Sequence, residues 1–125
     1  MAESGAVLIG VSGGIAAYKA CDVVSDLRKR GENVHVVMSQ NAQKFVSALT
    51  FKTLSDNPVL TDLFDESLGA KPEHIECQHN AKLFVVAPAT ANFLAKYAHG
   101  IADDALSTTA ISLTCPVILA PAMNT

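Results

Sequence analysis

The residues able to do chemistry gather in four short stretches. Gly10-Val11-Ser12-Gly13-Gly14-Ile15 follows an apolar run and carries two adjacent glycines. At a strand-to-helix junction such glycines let backbone amides approach an anion, and the helix N-terminus favours its charge. The same pair also makes a plain tight turn. The spacing is not GxGxxG, and no GxxxxGK[ST] exists in the chain. Pro88-Ala89-Thr90-Ala91-Asn92 and Pro121-Ala122-Met123-Asn124 share a design. Each leaves an apolar run through a proline and ends on Asn, whose amide both donates and accepts. A lone Asn of this kind is usually a turn former; two at matched positions can bracket a polar, planar ligand. His74-Ile75-Glu76 precedes the third buried strand, and on its own His74 reads as a surface histidine without a role. A zinc deaminase would need P-C-x-x-C further on, and Cys115-Pro116 has the wrong order. His74, Cys77 and His79 match no standard metal spacing, so no metal is expected.

Positioning these stretches requires strands that end just before them. Ala6–Val11 is almost wholly apolar, as a strand buried on both faces must be. Ile15–Arg30 reads as a helix with Val23, Val24 and Leu27 on one stripe and Gly31 as its stop. Val34–Met38 is a second buried strand. Gln40–Leu54 has helical spacing in two pieces, before the turn Ser55-Asp56-Asn57-Pro58. Leu60–Glu73 reads mostly as loop. Leu83–Ala87 is a strand ended by Pro88, Ala91–His99 a helix closed by Gly100, Asp104–Leu113 a helix, and Val117–Ala120 the last strand. Alternating strands and helices predict an α/β, Rossmann-like parallel sheet with helices on both faces, in one domain over residues 1–125. Ligands of such sheets sit beyond the carboxyl ends of the strands, where the Gly, Ser, Thr, Asn and Pro residues gather. A dinucleotide site also wants an acid after the second strand. Ser39 stands there, which disfavours NAD and is compatible with a phosphate-bearing ligand.

Composition sets outer bounds. Half of the 125 residues are apolar and 17% are charged, a globular balance. The net charge of −3 and the lack of a dense basic patch argue against nucleic acid as a partner. Arg28-Lys29-Arg30 closes a predicted helix, where cations suit the dipole. No apolar run approaches the roughly 18 residues of a membrane span, and no leader pattern opens the chain. Cys21, Cys77 and Cys115 are scattered, as reduced thiols of a cytoplasmic protein are. His35, within a strand, and His99, at a helix end, read as structural.

Taken in order, Gly10–Lys19, His74-Ile75-Glu76, Ala87–Asn92 and Ala120–Thr125 resemble the homo-oligomeric flavin-containing cysteine decarboxylases, and within them the phosphopantothenoylcysteine decarboxylase branch. The resemblance runs from about Ala6 to Thr125. It implies a flavodoxin-like fold holding FMN. Ser12, Gly13, Gly14, Ser39, Thr90, Ala91, Asn92, Phe93 and Ala122 would bind the cofactor, with Phe45 packing near the isoalloxazine. His74 would be catalytic, and Asn124 would hold the carboxylate of 4′-phosphopantothenoylcysteine. A homotrimer, or a multiple of trimers, is implied as well. The resemblance further implies that the domain continues beyond Thr125 into a clamp carrying a cysteine, so the C-terminal part is expected to be missing here.

The chemistry implied by the resemblance fits these residue types. Loss of CO2 from a cysteine carboxylate would leave an unstabilised carbanion. Oxidation of the thiol to a thioaldehyde, with FMN as acceptor, puts C=S where it can take those electrons as an ene-thiolate. The flavin then returns the hydride, giving 4′-phosphopantetheine for coenzyme A biosynthesis. Other readings are a flavin-binding protein without turnover, peptidyl-cysteine decarboxylation, or flavin prenyl transfer, from which the His-Ile-Glu motif leans away.

Overall fold

A computed structural model describes residues 5–62 and 80–123. His74 and Asn124, and with them the loop predicted beyond Asp62, lie outside the described residues. Five strands form one parallel sheet: β1 (Ala6–Val11), β2 (Val34–Met38), β3 (Val59–Leu60), β4 (Ala81–Ala89) and β5 (Val117–Pro121), in the spatial order β3-β2-β1-β4-β5. The chain steps outward from β1 to β2 to β3. It then returns to the other side of β1 and steps outward again through β4 and β5. β1 and β4 are therefore the pair at which the connections part in opposite directions, the switch point where α/β sheets bind ligands.

Helices cover both faces. α1 (Ala17–Lys29) and α2 (Ala48–Ser55) lie over Ile9, Val11, Val36 and Met38, with Val24 and Phe51 completing that core. On the other face α3 (Ala91–His99) and α4 (Ala105–Ser112) bury Phe93, Leu106 and Ala110 against Leu8, Phe84 and Val86. Alternate residues of one strand serve opposite cores, as the two-residue period of a strand requires. Phe84 is fully buried, and its ring lies over Gly10, where an added Cβ would stand 3.1 Å from ring carbons and 2.7 Å from Leu106 Cδ1. Gly10 is thus the hollow into which this core packs. Phe84→Ala is expected to cost about 3–5 kcal/mol. Urea unfolding should show it as a lowered midpoint with an unchanged slope; a loss below about 1 kcal/mol would mean the core collapses around the gap.

Several local readings shift. α1 begins at Ala17 rather than Ile15, because Ser12–Ala16 is spent on tight turns: Gly14 N–H donates to Ser12 O (3.0 Å) and Ala17 N–H to Gly14 O (2.9 Å). The helix stripe that meets the sheet is Ala17, Ala20 and Val24, while Val23 is exposed. Small residues let the helix approach closely, which a search for bulky residues overlooks. β3 is a two-residue strand, too short to leave a period in the sequence. β4 does not stop before Pro88 but runs through it to Ala89. The register of β4 against β5 shifts between Val86 and Ala89, and a proline is tolerated at such an irregularity because no ladder donor is needed there. The Ala87–Pro88 bond is cis. One helix stop agrees with the sequence reading, and one helix start is moved by a single residue. Gly100 closes α3 in the left-handed region at φ 71°, where only glycine avoids a Cβ penalty. Asp104 caps α4 through Ser107 N–H at 2.7 Å.

Candidate functional site

The loops leaving β1 and β4 are tied together by Ser12, which is almost fully buried. Its hydroxyl donates to Pro88 O and accepts from Thr90 N–H at 3.0 Å. Its own N–H faces Pro88 O at 3.4 Å. The side chain that sequence reasoning offered to a ligand is therefore engaged with protein partners, and it sets the spacing of the two loops. Thr90 is the N-cap of α3, its Oγ1 accepting from Phe93 N–H at 3.3 Å. Beyond β2, Ser39 Oγ accepts from Ala42 N–H at 3.2 Å, starting a short 3-10 turn over Asn41–Lys44. Ala122 N–H donates to Ala89 O at 3.2 Å and brings the loop after β5 alongside that after β4.

Two adjoining cavities open over these loops and share Gly13, Thr90 and Asn92. The larger, about 520 Å³, sets Ile15, Ala16, Ala91, Ala122 and Met123, with Gly14, beside the shared polar Thr90 and Asn92. The smaller, about 300 Å³, is polar: Ser12, Ser39, Gln40 and Asn41 on one side, Lys96, Asp103 and Asp104 on the other. Space requires glycine at Gly13, where a Cβ would stand 2.5 Å from Asn41 Cβ; at Gly14 a Cβ would stand 3.3 Å from Thr90 Cγ2, a close fit. The combined cleft suits a ligand with a flat apolar part and a polar tail.

The expected site residues separate by place. Ser12, Gly13, Gly14, Ser39, Thr90, Ala91, Asn92 and Ala122 all line one or both cavities. Phe93 does not: it is buried in the core and stacks on Tyr97 with ring centroids 5.6 Å apart. Phe45 is 47% exposed at the end of the 3-10 turn and lines neither cavity among the described residues. His74 and Asn124 lie outside the described residues, so their positions are not part of this geometry.

Sequence reasoning missed the charged wall. Lys96 Nζ lies 2.9 Å from Asp103 Oδ1 and 4.0 Å from Asp104 Oδ2. The hydrogen bond from the Lys96 ammonium holds the Asp103 carboxyl below the usual carboxylate range, aided by its charge. In the sequence the two acids look like ordinary helix-start residues and Lys96 like one more helix cation. Only the return of α3 and α4 over the β1–β4 crevice sets them opposite Ser39.

The Flavoprotein family model matches residues 1–125. The chain belongs to the flavoprotein family. This flavoprotein is 52% identical over 118 residues to the coenzyme A biosynthesis bifunctional protein CoaBC of Bacillus subtilis (strain 168), a match covering 94% of the chain and 29% of that protein. It thus spans less than a third of the length of that curated relative. Among solved structures it superposes on the FMN-dependent cysteine decarboxylase SpaF with a TM-score of 0.84 at 34% identity, covering 98% of this chain and 70% of that one. A PPC decarboxylase mutant complexed with pantothenoylaminoethenethiol gives a TM-score of 0.76 at 29% identity, covering 97% and 68%. The flavodoxin-like α/β architecture is shared with these neighbours. No helix of the flavoprotein's described residues is long and apolar enough to cross a membrane.

Proposed function

We propose that this flavoprotein binds FMN in the two-part cleft and decarboxylates 4′-phosphopantothenoylcysteine to 4′-phosphopantetheine, the carboxy-lyase step of coenzyme A biosynthesis. The observation that carries the reading is the division of the cleft into an apolar half and a polar half over a junction with no room for a Cβ at Gly13. A flavin mononucleotide has that division: a flat tricyclic ring and a hydroxylated, phosphorylated tail. The relationship to CoaBC adds the substrate class.

In this reading the ring lies against Ile15, Ala91, Ala122 and Met123, and the phosphorylated tail enters the smaller cavity past Gly13 and Ser39. When bound, FMN supplies a reversible acceptor for the hydride that makes the substrate's C–S carbon electron-poor. Asn92 offers the ring a donor and an acceptor from the first turn of α3. His74 moves the thiol proton, and Asn124 orients the carboxylate through a neutral amide. A full positive charge there would favour the ionised ground state and oppose its loss. The proposal extends to a trimeric, cytoplasmic assembly with the cleft near a subunit boundary.

A second reading, decarboxylation of a peptidyl cysteine, is favoured by the TM-score of 0.79 to the peptidyl-cysteine decarboxylase EpiD at 25% identity. One experiment separates the two. The purified chain is scanned for an oxidised-flavin spectrum. It is then incubated anaerobically with 4′-phosphopantothenoylcysteine or with a peptide ending in cysteine, and products are identified by mass. Loss of CO2 from the small thiol alone supports the proposal. Reaction of the peptide alone moves the chain to the second reading. A colourless protein that takes up no added FMN removes both.

A further inference from the structure

The smaller cavity holds three formal charges among its described lining residues, Lys96, Asp103 and Asp104, which sum to −1. That is an awkward wall for a ligand tail that ends in a phosphate. Without Lys96 the wall would carry two uncompensated carboxylates. Charges of one sign at such separations, at the edge of a protein, repel by an amount that matters for binding. Asp104 cannot turn away, because its Oδ1 caps α4 and accepts from Ser107 N–H. Asp103 is held by Lys96 at 2.9 Å. The Lys96 side chain, 22% exposed, rises from the last turn of α3. Its ammonium has three donors, of which Asp103 engages one.

We propose that Lys96 is a specificity-determining residue of the cleft: by neutralising the Asp103–Asp104 wall it allows the smaller cavity to accept a phosphorylated tail, so that FMN is bound in preference to its unphosphorylated counterpart. The inference rests on the FMN reading above. Lys96 acts on the ligand's charge through the field of the wall, and no contact with the reacting atoms is assigned to it. A purely architectural lysine, tying α3 to the segment before α4, would affect every flavin alike.

The test titrates the flavin-free chain with FMN and with riboflavin, following quenching of flavin fluorescence. Lys96→Met is expected to lower the FMN-over-riboflavin preference about tenfold, at ordinary ionic strength, with riboflavin binding little changed. Lys96→Arg should keep the preference. The pair Lys96→Met with Asp103→Asn, which returns the wall to a net charge of −1, should recover most of it. Equal loss of both flavins in Lys96→Met, or an unchanged preference, would overturn the inference while leaving the FMN reading of the cleft standing. A wild-type chain that binds neither flavin would instead overturn the FMN reading and this inference with it.

Discussion

A Gly14→Asp chain is expected to purify folded and colourless. Gly14 faces the larger cavity at the point where the loop after β1 passes the loop after β4. An added Cβ there would lie 3.3 Å from Thr90 Cγ2, tight enough to require a small adjustment but not a collision with backbone. The fold should therefore survive, with a thermal midpoint within a few degrees of the parent. The carboxylate is a different matter. It would project into the larger cavity beside Gly13, where the two cavities meet, obstructing the ring and setting a negative charge close to the phosphorylated tail. An uncompensated charge in a sheltered site costs about 3–5 kcal/mol, and partial solvent access reduces this to an affinity loss of about a hundredfold or more. Absorbance of the purified protein, compared with its melting curve, separates loss of flavin from loss of fold. Full flavin occupancy in Gly14→Asp would remove the flavin from this junction.

The second large effect concerns His74. His74→Asn is expected to retain flavin and lose turnover by about two to four orders of magnitude, the usual contribution of a positioned proton carrier. Asn keeps much of the size and one hydrogen-bonding edge of the imidazole but cannot titrate. Flavin content measures the cleft, and anaerobic product formation measures proton transfer, so the two roles are read independently. Turnover within a factor of about three of the parent would transfer the proton step to another group. Loss of flavin together with activity would make His74 a binding residue instead.

Most of the sheet was legible in the sequence because its central strands carry nearly unbroken apolar runs, and burial on both faces leaves no other pattern. The stop of α3 was legible too, since Gly100 does local work that local sequence reveals, and the start of α4 was placed within one residue of its cap Asp104. What escaped had a tertiary cause. β3 owes its existence to pairing with β2 and has no period of its own. Pro88 looked like a stop, yet the irregular register against β5 removes the need for its missing donor. The site divides along the same line. Gly13, Gly14, Thr90 and Asn92 sit directly after strands, where position in the chain fixes position in the fold. Lys96, Asp103 and Asp104 arrive from a helix and a connection that fold back over the crevice. Phe93 shows the opposite failure. It shares a motif with the cleft residues but points into the core, because successive residues of a helix face different directions.

The bond pattern of Ser12 also bears on how a ligand would arrive. The hydroxyl that joins Pro88 O to Thr90 N–H needs nothing from outside the chain. Immobilising backbone costs about 1–2 kcal/mol per residue in lost conformational freedom, and here the loops after β1 and β4 meet that cost during folding rather than during binding. The empty and filled clefts should then share one shape. Association would be governed by encounter instead of by rearrangement, and the affinity of a tail or ring analogue would report its fit to a fixed mould.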